Sequence, residues 1–144
     1  MTEQPQNSVP QPATAPVVYK PQPMLESDAR TWAALVNVAA ILGMVLSGGT
    51  LTIVAVLVIW LVFKERSALV DFHGKQQMNL ALTTIVAVVV GFIVSLVTLG
   101  IGFFLFIPAI VAYAIYTFVM SILAAVAANR GEYYAIPAII RFIR

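Results

Sequence analysis

The sequence predicts an all-α membrane protein: a four-helix bundle built as a hairpin of hairpins, with a disordered N-terminal tail and a short amphipathic C-terminal segment. Three observations support this prediction. Residues 76–129 contain no Asp, Glu, Lys or Arg, residues 31–63 also lack them, and the chain is 61% hydrophobic. Because about 20 apolar residues cross the hydrocarbon core of a bilayer, the longer stretch has room for two crossings.

The composition argues against an ordinary soluble domain. Such domains carry about 25% charged residues, whereas this chain carries 10% and has a mean hydropathy of +0.97. The pI of 9.2 comes from basic residues that flank the apolar runs singly. That distribution fits the positive-inside bias and argues against nucleic acid as a partner. Because cysteine is absent, disulfides and thiolate metal sites are excluded.

The chain divides into a tail, residues 1–27, and an integral membrane helical domain, residues 28–144. Six of the eight prolines fall in the tail, among glutamine, threonine and serine. Such a Pro/Gln-rich segment cannot bury enough apolar surface to offset the entropy of ordering it. We expect a disordered spacer or, alternatively, an arm that docks a partner.

Residues 31–63 are predicted to form two helices, at about 31–46 and 51–63, joined by a turn. One continuous helix of this length would run about 50 Å, too long for a hydrocarbon core of about 30 Å. The pair Gly48–Gly49 tolerates positive φ and favours the turn. The resulting hairpin is either tilted or does not cross fully, and a three-span protein is the alternative architecture.

Two further helices are predicted at about 76–97 and 103–128, joined by the turn 98–102 and preceded by a polar loop, 64–75. Small residues recur every four positions on the first of them. They form a ridge that lets another helix approach closely, unless they are a chance result in an Ala/Val-rich helix. The helix-packing candidates are Thr83, Ala87, Gly91 and Ser95 on this helix and Ala114, Ser121 and Ala125 on the next.

The last residues, 133–144, are predicted to lie in the headgroup layer as a basic amphipathic segment, with isoleucines on one helical face and Arg141 and Arg144 on another. With four membrane elements, all eight Lys and Arg residues lie on the side of both termini. The turns on the opposite side carry none. By the positive-inside rule, this is a multi-pass protein of the cytoplasmic membrane whose N- and C-termini are cytoplasmic.

Four polar side chains inside the predicted helices are candidates for a buried role: Asn37, Asn79, Tyr113 and Tyr116. Both asparagines lie near the cytoplasmic face of the membrane in the predicted topology, so a hydrogen bond between them is geometrically possible. Such bonds more often join helices than line a transport path. Each tyrosine hydroxyl needs a partner inside the bundle. No ionisable acid, Lys or Arg lies within a predicted span, which argues against an ion-coupled pump.

His73 is the only histidine, and it lies in the polar loop with Asp71. With Gln77 and Asn79 they could suggest a metal or proton site, but one histidine and one carboxylate are too few, and Glu65 and Glu132 are only possible additions. We expect Asp71 to cap the third helix and His73 to meet water or lipid phosphate. The chain contains no nucleophile elbow, phosphate loop, zinc signature or paired carboxylates. The sequence therefore predicts no enzyme, no metal site and no cofactor.

Two segments resemble motifs of the MamF/MmsF-like family, small bacterial membrane proteins mostly of unknown function and distantly similar to a chloroplast Tic translocon subunit. One segment runs from Phe63 to Asn79. The other, Ala-Asn-x-Gly-Glu-x-Tyr-x-x-Pro, runs from Ala128 to Pro137. The motif residues are Asp71, His73, Gly74, Asn79, Asn129, Gly131, Glu132, Tyr133 and Pro137.

The resemblance covers about residues 28–144 and implies a three- or four-helix bundle in a bacterial cytoplasmic membrane. A few relatives sit in magnetosome membranes, affect crystal growth and carry acidic groups in a loop between spans. The turn 98–102 of this chain has no acidic group, so the resemblance does not extend that role to it.

These observations favour a non-enzymatic scaffold or protein-interaction component. Its partners would be the lipid bilayer and a second copy of the chain or another membrane protein. The alternative is a channel, transporter or translocon component, which requires a polar path through the four buried candidates named above. A lipid-acting membrane enzyme, with His73 and Asp71 at the headgroup level, ranks last.

Overall fold

The computed structural model describes residues 21–144, and within that range it contains four α-helices and no strand. The helices are α1 (Glu26–Ser47), α2 (Thr50–Phe63), α3 (Ala68–Val97) and α4 (Phe103–Arg130). Short connections reverse the chain each time and give two hairpins, α1–α2 and α3–α4, so the predicted fold class is confirmed. The predicted tail lies outside the described residues except for 21–27, of which 26 and 27 already belong to α1.

The third helix begins at Ala68 rather than at residue 76, so the predicted polar loop is wrong over most of its length. Ser67 adopts an extended conformation, and its hydroxyl accepts a hydrogen bond from the Val70 N–H at 3.3 Å. This cap starts the helix early. Only residues 64–67 remain as a connection, and Asp71 lies in the first turn of α3 instead of capping it.

The turn between α1 and α2 depends on glycine. Gly48 and Gly49 have φ of +62° and +103°, values that side chains with a Cβ rarely adopt. One turn earlier, a Cβ on Gly43 would lie 2.6 Å from the backbone of Thr52. The absence of a side chain at Gly43 therefore lets the two helices meet closely, and the Thr52 hydroxyl donates to the Ala40 carbonyl at 3.1 Å.

Helix α1 is the centre of the bundle, because its contacts with α2, α3 and α4 are each more extensive than any contact among those three helices. Helices α3 and α4 touch each other less than either touches α1. The core residues of α1 are small or β-branched, among them Ala33, Val36 and Ala40. Three helices (α1, α3 and α4) are long and apolar enough to cross a membrane, whereas α2 has 14 residues.

The first hairpin is shorter than the second. Helices α1 and α2 measure about 33 and 21 Å, and α3 and α4 about 45 and 42 Å. Gly48 and Gly49 line the same cavity as Val88 and Ile110, which lie about two to three turns from the 98–102 turn. The second hairpin therefore continues past the first, and its large apolar side chains there are exposed.

Residues 131–144, which we name the C-terminal strap, form no helix. The helical face expected from its isoleucines does not exist, because Pro137 and the positive φ of Ala138 (+54°) interrupt any regular helix. The strap instead lies along α3 and α4, where Ile136 is buried beside Leu80 and Ala124. We name the end of the bundle that holds the start of α1, residues 64–67 and the end of α4 the charged end.

Candidate functional site

A buried polar network joins three helices near the charged end. Asn37 of α1, Gln77 of α3 and Ser121 of α4 are all buried. The Gln77 side-chain amide donates to Asn37 Oδ1 at 2.7 Å, and its amide group is also within 3.2–3.3 Å of the Ser121 hydroxyl. Asn37 donates to the Ala33 carbonyl of its own helix at 2.7 Å. Every polar group of these side chains therefore has a partner inside the bundle.

His73 extends this network to the strap. Its Nδ1 lies 3.3 Å from Asn37 Nδ2, and its Nε2 lies 3.0 Å from the Glu132 carbonyl oxygen. Because Asn37 Oδ1 already accepts from Gln77, Asn37 Nδ2 is the donor to Nδ1, and Nε2–H donates to Glu132. These bonds assign the neutral imidazole with its proton on Nε2. The expectation that His73 meets water or lipid phosphate is wrong, because its side chain is fully buried.

Asp71 and Gly74 hold α2 against α3. The Trp60 indole N–H donates to Asp71 Oδ1 at 2.8 Å, and Lys75 Nζ lies 2.6 Å from Asp71 Oδ2. A Cβ on Gly74 would lie 2.3 Å from the Trp60 ring, so only glycine lets the indole pack there. Both carboxylate oxygens of Asp71 are thus occupied by structural contacts.

Side chains of α3 and α4 bind the backbone of the strap. Asn79 accepts from the Ile143 N–H at 2.8 Å and donates to the Ile143 carbonyl at 2.9 Å. Gln76 accepts from the Ile136 N–H at 3.1 Å, and Thr83 accepts from the Ile140 N–H at 3.0 Å. The Tyr116 hydroxyl donates to the Pro137 carbonyl. These bonds replace the backbone pairing that a helix would have supplied.

The remaining motif residues complete the contact between the two motif segments. Gly131 ends α4 with φ +80°, and the Arg30 guanidinium packs against it. The Tyr133 ring meets the Phe72 ring edge-on, with centroids 5.2 Å apart. The Asn129 and Glu132 side chains are exposed. Residues distant in sequence that were singled out as two separate motifs therefore form one site.

A family model described as the magnetosome magnetite crystal formation protein family, MamF/MmsF, matches residues 28–143. The chain belongs to this family. With its apolar helices, it is a multi-pass membrane protein of the MamF/MmsF family. No curated protein and no solved structure matches the chain. Similarity to a Tic subunit is untested by these comparisons and stays a prediction.

The small residues singled out for helix packing have several different neighbours in this MamF/MmsF protein. Gly91 faces the Phe106 ring of α4, and a Cβ there would lie 2.1 Å from it. Ser95 is buried beside Gly102 at the second turn. The other candidates are placed as follows: Thr83 binds the strap, Ser121 belongs to the network, Ala114 lines the cavity, and Ala87 and Ala125 are half-buried.

A cavity of about 420 Å³ lies between the two hairpins. Three of the six hydroxyls that line it donate to backbone carbonyls: Thr52 to Ala40, Thr84 to Leu80, and Thr117 to Ala114. The lining is therefore effectively apolar. Tyr113 also lines the cavity, and its buried hydroxyl has no partner among residues 21–144, contrary to the expectation that both tyrosines would be paired.

The four polar candidates do not form one path. Asn37 belongs to the network, Asn79 and Tyr116 hold the strap, and Tyr113 lies at the cavity. The suggested bond between Asn37 and Asn79 is not formed, because each amide is engaged elsewhere. Within residues 21–144, no group of three His, Cys, Asp or Glu side chains is placed to hold a metal ion.

Sequence reasoning did not single out Gln76, and it named Gln77 only beside His73, where too few ligands are present for a metal site. Their signal is the helical spacing of polar residues in an otherwise apolar helix: 73 and 77 are one turn apart, and 76, 79 and 83 share another face. The first set contacts α1, α4 and the start of the strap, and the second set contacts the rest of the strap.

Proposed function

We propose that this protein is a non-enzymatic membrane scaffold that presents a rigid face at its charged end to other proteins. One observation carries the proposal: polar side chains of the first family motif, His73, Gln77 and Asn79, tie α1, α3, α4 and the strap together. A buried network whose polar groups bind one another is suited to holding a shape. The imidazole and the amides of this network are therefore occupied by structural hydrogen bonds.

The surface of that rigid face has the composition of a protein-contact site. Tyr133 is 59% exposed and Phe142 is 49% exposed, and Arg141 and Arg144, close to Phe142 in sequence, are also exposed. Aromatic residues and arginine are enriched in interfaces relative to the rest of a protein surface. The strap holds these side chains in place through Ile136 and Ile143, so the surface is ordered before a partner binds.

The alternatives find less support. A channel or transporter needs a continuous polar route, whereas the four polar candidates lie in separate contacts and the cavity between the hairpins is lined mainly by apolar side chains. A lipid-acting enzyme would use His73 and Asp71, but both imidazole nitrogens and both carboxylate oxygens already have partners.

For sidedness we propose that the charged end faces the cytoplasm of a bacterial cell, because Lys and Arg favour that side. The turns at 48–49 and 98–102 then face the opposite compartment. Since the chain lacks native cysteine, single cysteines at Gly49, Gly100, Ser67 and Arg144 can be labelled with an impermeant maleimide in intact cells and in inverted vesicles. We expect Ser67 and Arg144 positions to react only in inverted vesicles; labelling of either in intact cells would reverse the assignment.

The family description names magnetite crystal formation; for this chain we propose a role in membrane organisation that involves no contact with a mineral. The 98–102 turn, Thr-Leu-Gly-Ile-Gly, has no carboxylate, and neither has the 47–50 turn. Iron is bound in proteins mainly by imidazole, carboxylate and thiolate groups. The end away from the charged end therefore has no side chains suited to contact a mineral.

Site-specific photocrosslinking in the native cell tests the scaffold proposal. A photoreactive amino acid replaces Phe142 in one variant and Leu99, in the second turn and 93% exposed, in a control. We expect a reproducible adduct with one membrane protein, or with a second copy of the chain, only from position 142. A monomer in mild detergent that gives no protein adduct from position 142 would contradict the scaffold role.

A further inference from the structure

A second cavity, of about 370 Å³, opens at the charged end, apart from the polar network. It lies where the start of α1, the start of α3 and the start of the strap meet. Two arginines line it, Arg30 from α1 and Arg66 from the 64–67 connection, together with Ser67 and Tyr133. The walls therefore supply two guanidinium groups and hydroxyl groups to one concave space.

The charge of this cavity is positive. Arg30 pairs with Glu26, which also lines the cavity, but Arg66 has no carboxylate partner among residues 21–144. The only hydrogen bond that the Arg66 side chain makes there is from Nε to the Gln22 carbonyl, at 3.2 Å. Arg30 Nε, buried against Gly131, makes no hydrogen bond within the described residues. Because Arg30 Nε is buried, the donors left for a ligand are the terminal guanidinium nitrogens that make no hydrogen bond there, one on Arg30 and both on Arg66.

The backbone adds to this charge. Ala68 and Leu69, the first two residues of the 30-residue helix α3, line the cavity. The first N–H groups of a helix have no intrahelical acceptor, and that end of the helix dipole is positive. Arginine binds phosphate oxygens through two parallel hydrogen bonds, which matches the geometry of a phosphate better than lysine does.

The position of the cavity indicates which class of phosphate compound it binds. It lies beside the ends of the membrane helices, where Met24 and Leu69 give its wall an apolar part. Trp32 stacks on Phe63 near the same end, with centroids 4.1 Å apart, and tryptophan is enriched at the membrane–water boundary. A group with a phosphate and a short apolar stem matches both parts of the wall.

We propose that this cavity binds the phosphodiester headgroup of an anionic phospholipid, with Arg66 and Arg30 as the phosphate-binding side chains. A zwitterionic phospholipid has the same phosphate but adds a cation, which Arg66 repels, so the site discriminates by net charge. The proposal holds whether or not the protein is a scaffold, because it concerns a lipid and not a protein partner.

Native mass spectrometry of delipidated protein in mild detergent tests the proposal. Phosphatidylglycerol and phosphatidylcholine with identical acyl chains are titrated into wild type, Arg66→Gln and Lys64→Gln. Lys64 is the matched control, since it lies in the same connection, carries the same charge, sits 5.4 Å over the Trp60 ring and does not line the cavity. Both positions lie outside the buried network, so both variants should fold.

We expect wild type and Lys64→Gln to prefer phosphatidylglycerol for one bound lipid, and Arg66→Gln to lose about fivefold in that affinity, the effect of one basic residue near an anionic membrane. Equal losses in the two variants, or no preference between the lipids, would overturn the site. In a final competition experiment, inorganic phosphate is added to the protein with bound phosphatidylglycerol. If it displaces the lipid at equal concentration, the ligand is a free phosphate and the lipid assignment is wrong.

Discussion

His73 illustrates how single residues hold this protein together. A polar side chain in an apolar bundle destabilises the fold unless its groups are paired. Here the imidazole accepts from Asn37 and donates to the Glu132 carbonyl, so it connects α1, α3 and the strap. Its role is therefore to join segments that are far apart in sequence.

Replacing His73 by Ala is expected to lower the free energy of unfolding by about 1–3 kcal/mol, because the Asn37 amide and the Glu132 carbonyl lose their partner. Thermal unfolding in detergent micelles measures the change. Asn129→Ala is the control, since Asn129 belongs to the same family motifs but is exposed, and its effect should stay within about 0.5 kcal/mol. Equal stability of both variants would show that the His73 bonds contribute nothing.

The sequence predicts the burial of some of these polar residues and not of others. Asn37 and Asn79 stood out because amides are rare in apolar helices, and both are buried. His73 was placed at the surface, since its neighbours Asp71 and Lys75 are charged and suggested a loop. Its acceptor is a backbone carbonyl 59 positions away, and no local pattern carries that information. The Ser67 hydroxyl cap likewise extends helix α3 into residues whose charge predicts a loop.

At the scale of elements, the strap differs most from expectation. Its isoleucines occur at helical spacing, yet its backbone is held in a non-helical conformation by side chains of α3. Local propensity is weak over 14 residues containing a proline, so tertiary contacts decide the conformation. The helices α2 and α4, in contrast, lie where the apolar runs predicted them, because membrane helices are specified mainly by composition.

Adjacent threonines provide a test of how the strap is held. Thr83 accepts from the Ile140 N–H, whereas the Thr84 hydroxyl donates only to Leu80 of its own helix. Thr83→Ala is expected to speed hydrogen exchange at the Ile140 amide by about five- to tenfold, corresponding to a net hydrogen bond of about 1 kcal/mol. Thr84→Ala should leave that amide unchanged. If both variants, or neither, change the exchange rate, the strap does not depend on Thr83.

At the scale of the whole molecule, the two hairpins differ in length and in the contacts that they make. The longer one, α3–α4, carries the uncharged stretch that first indicated a membrane protein. The shorter one packs α1 against every other helix and ends beside Val88. The sequence left open whether residues 31–63 cross fully, because length alone cannot fix the depth of a hairpin that packs against longer helices.

The two family motifs meet at the charged end of one chain. Crosslinking the double variant Phe72→Cys/Tyr133→Cys with a short bifunctional maleimide tests this contact, because the chain has no native cysteine and the two native rings lie 5.2 Å apart. Phe72→Cys/Leu99→Cys is the control, with its second cysteine at the opposite end. We predict a bridge within the monomer, identified by mass spectrometry, for the first pair only. Absence of that bridge, or bridges formed only between chains, would show that the two motifs do not meet within one chain.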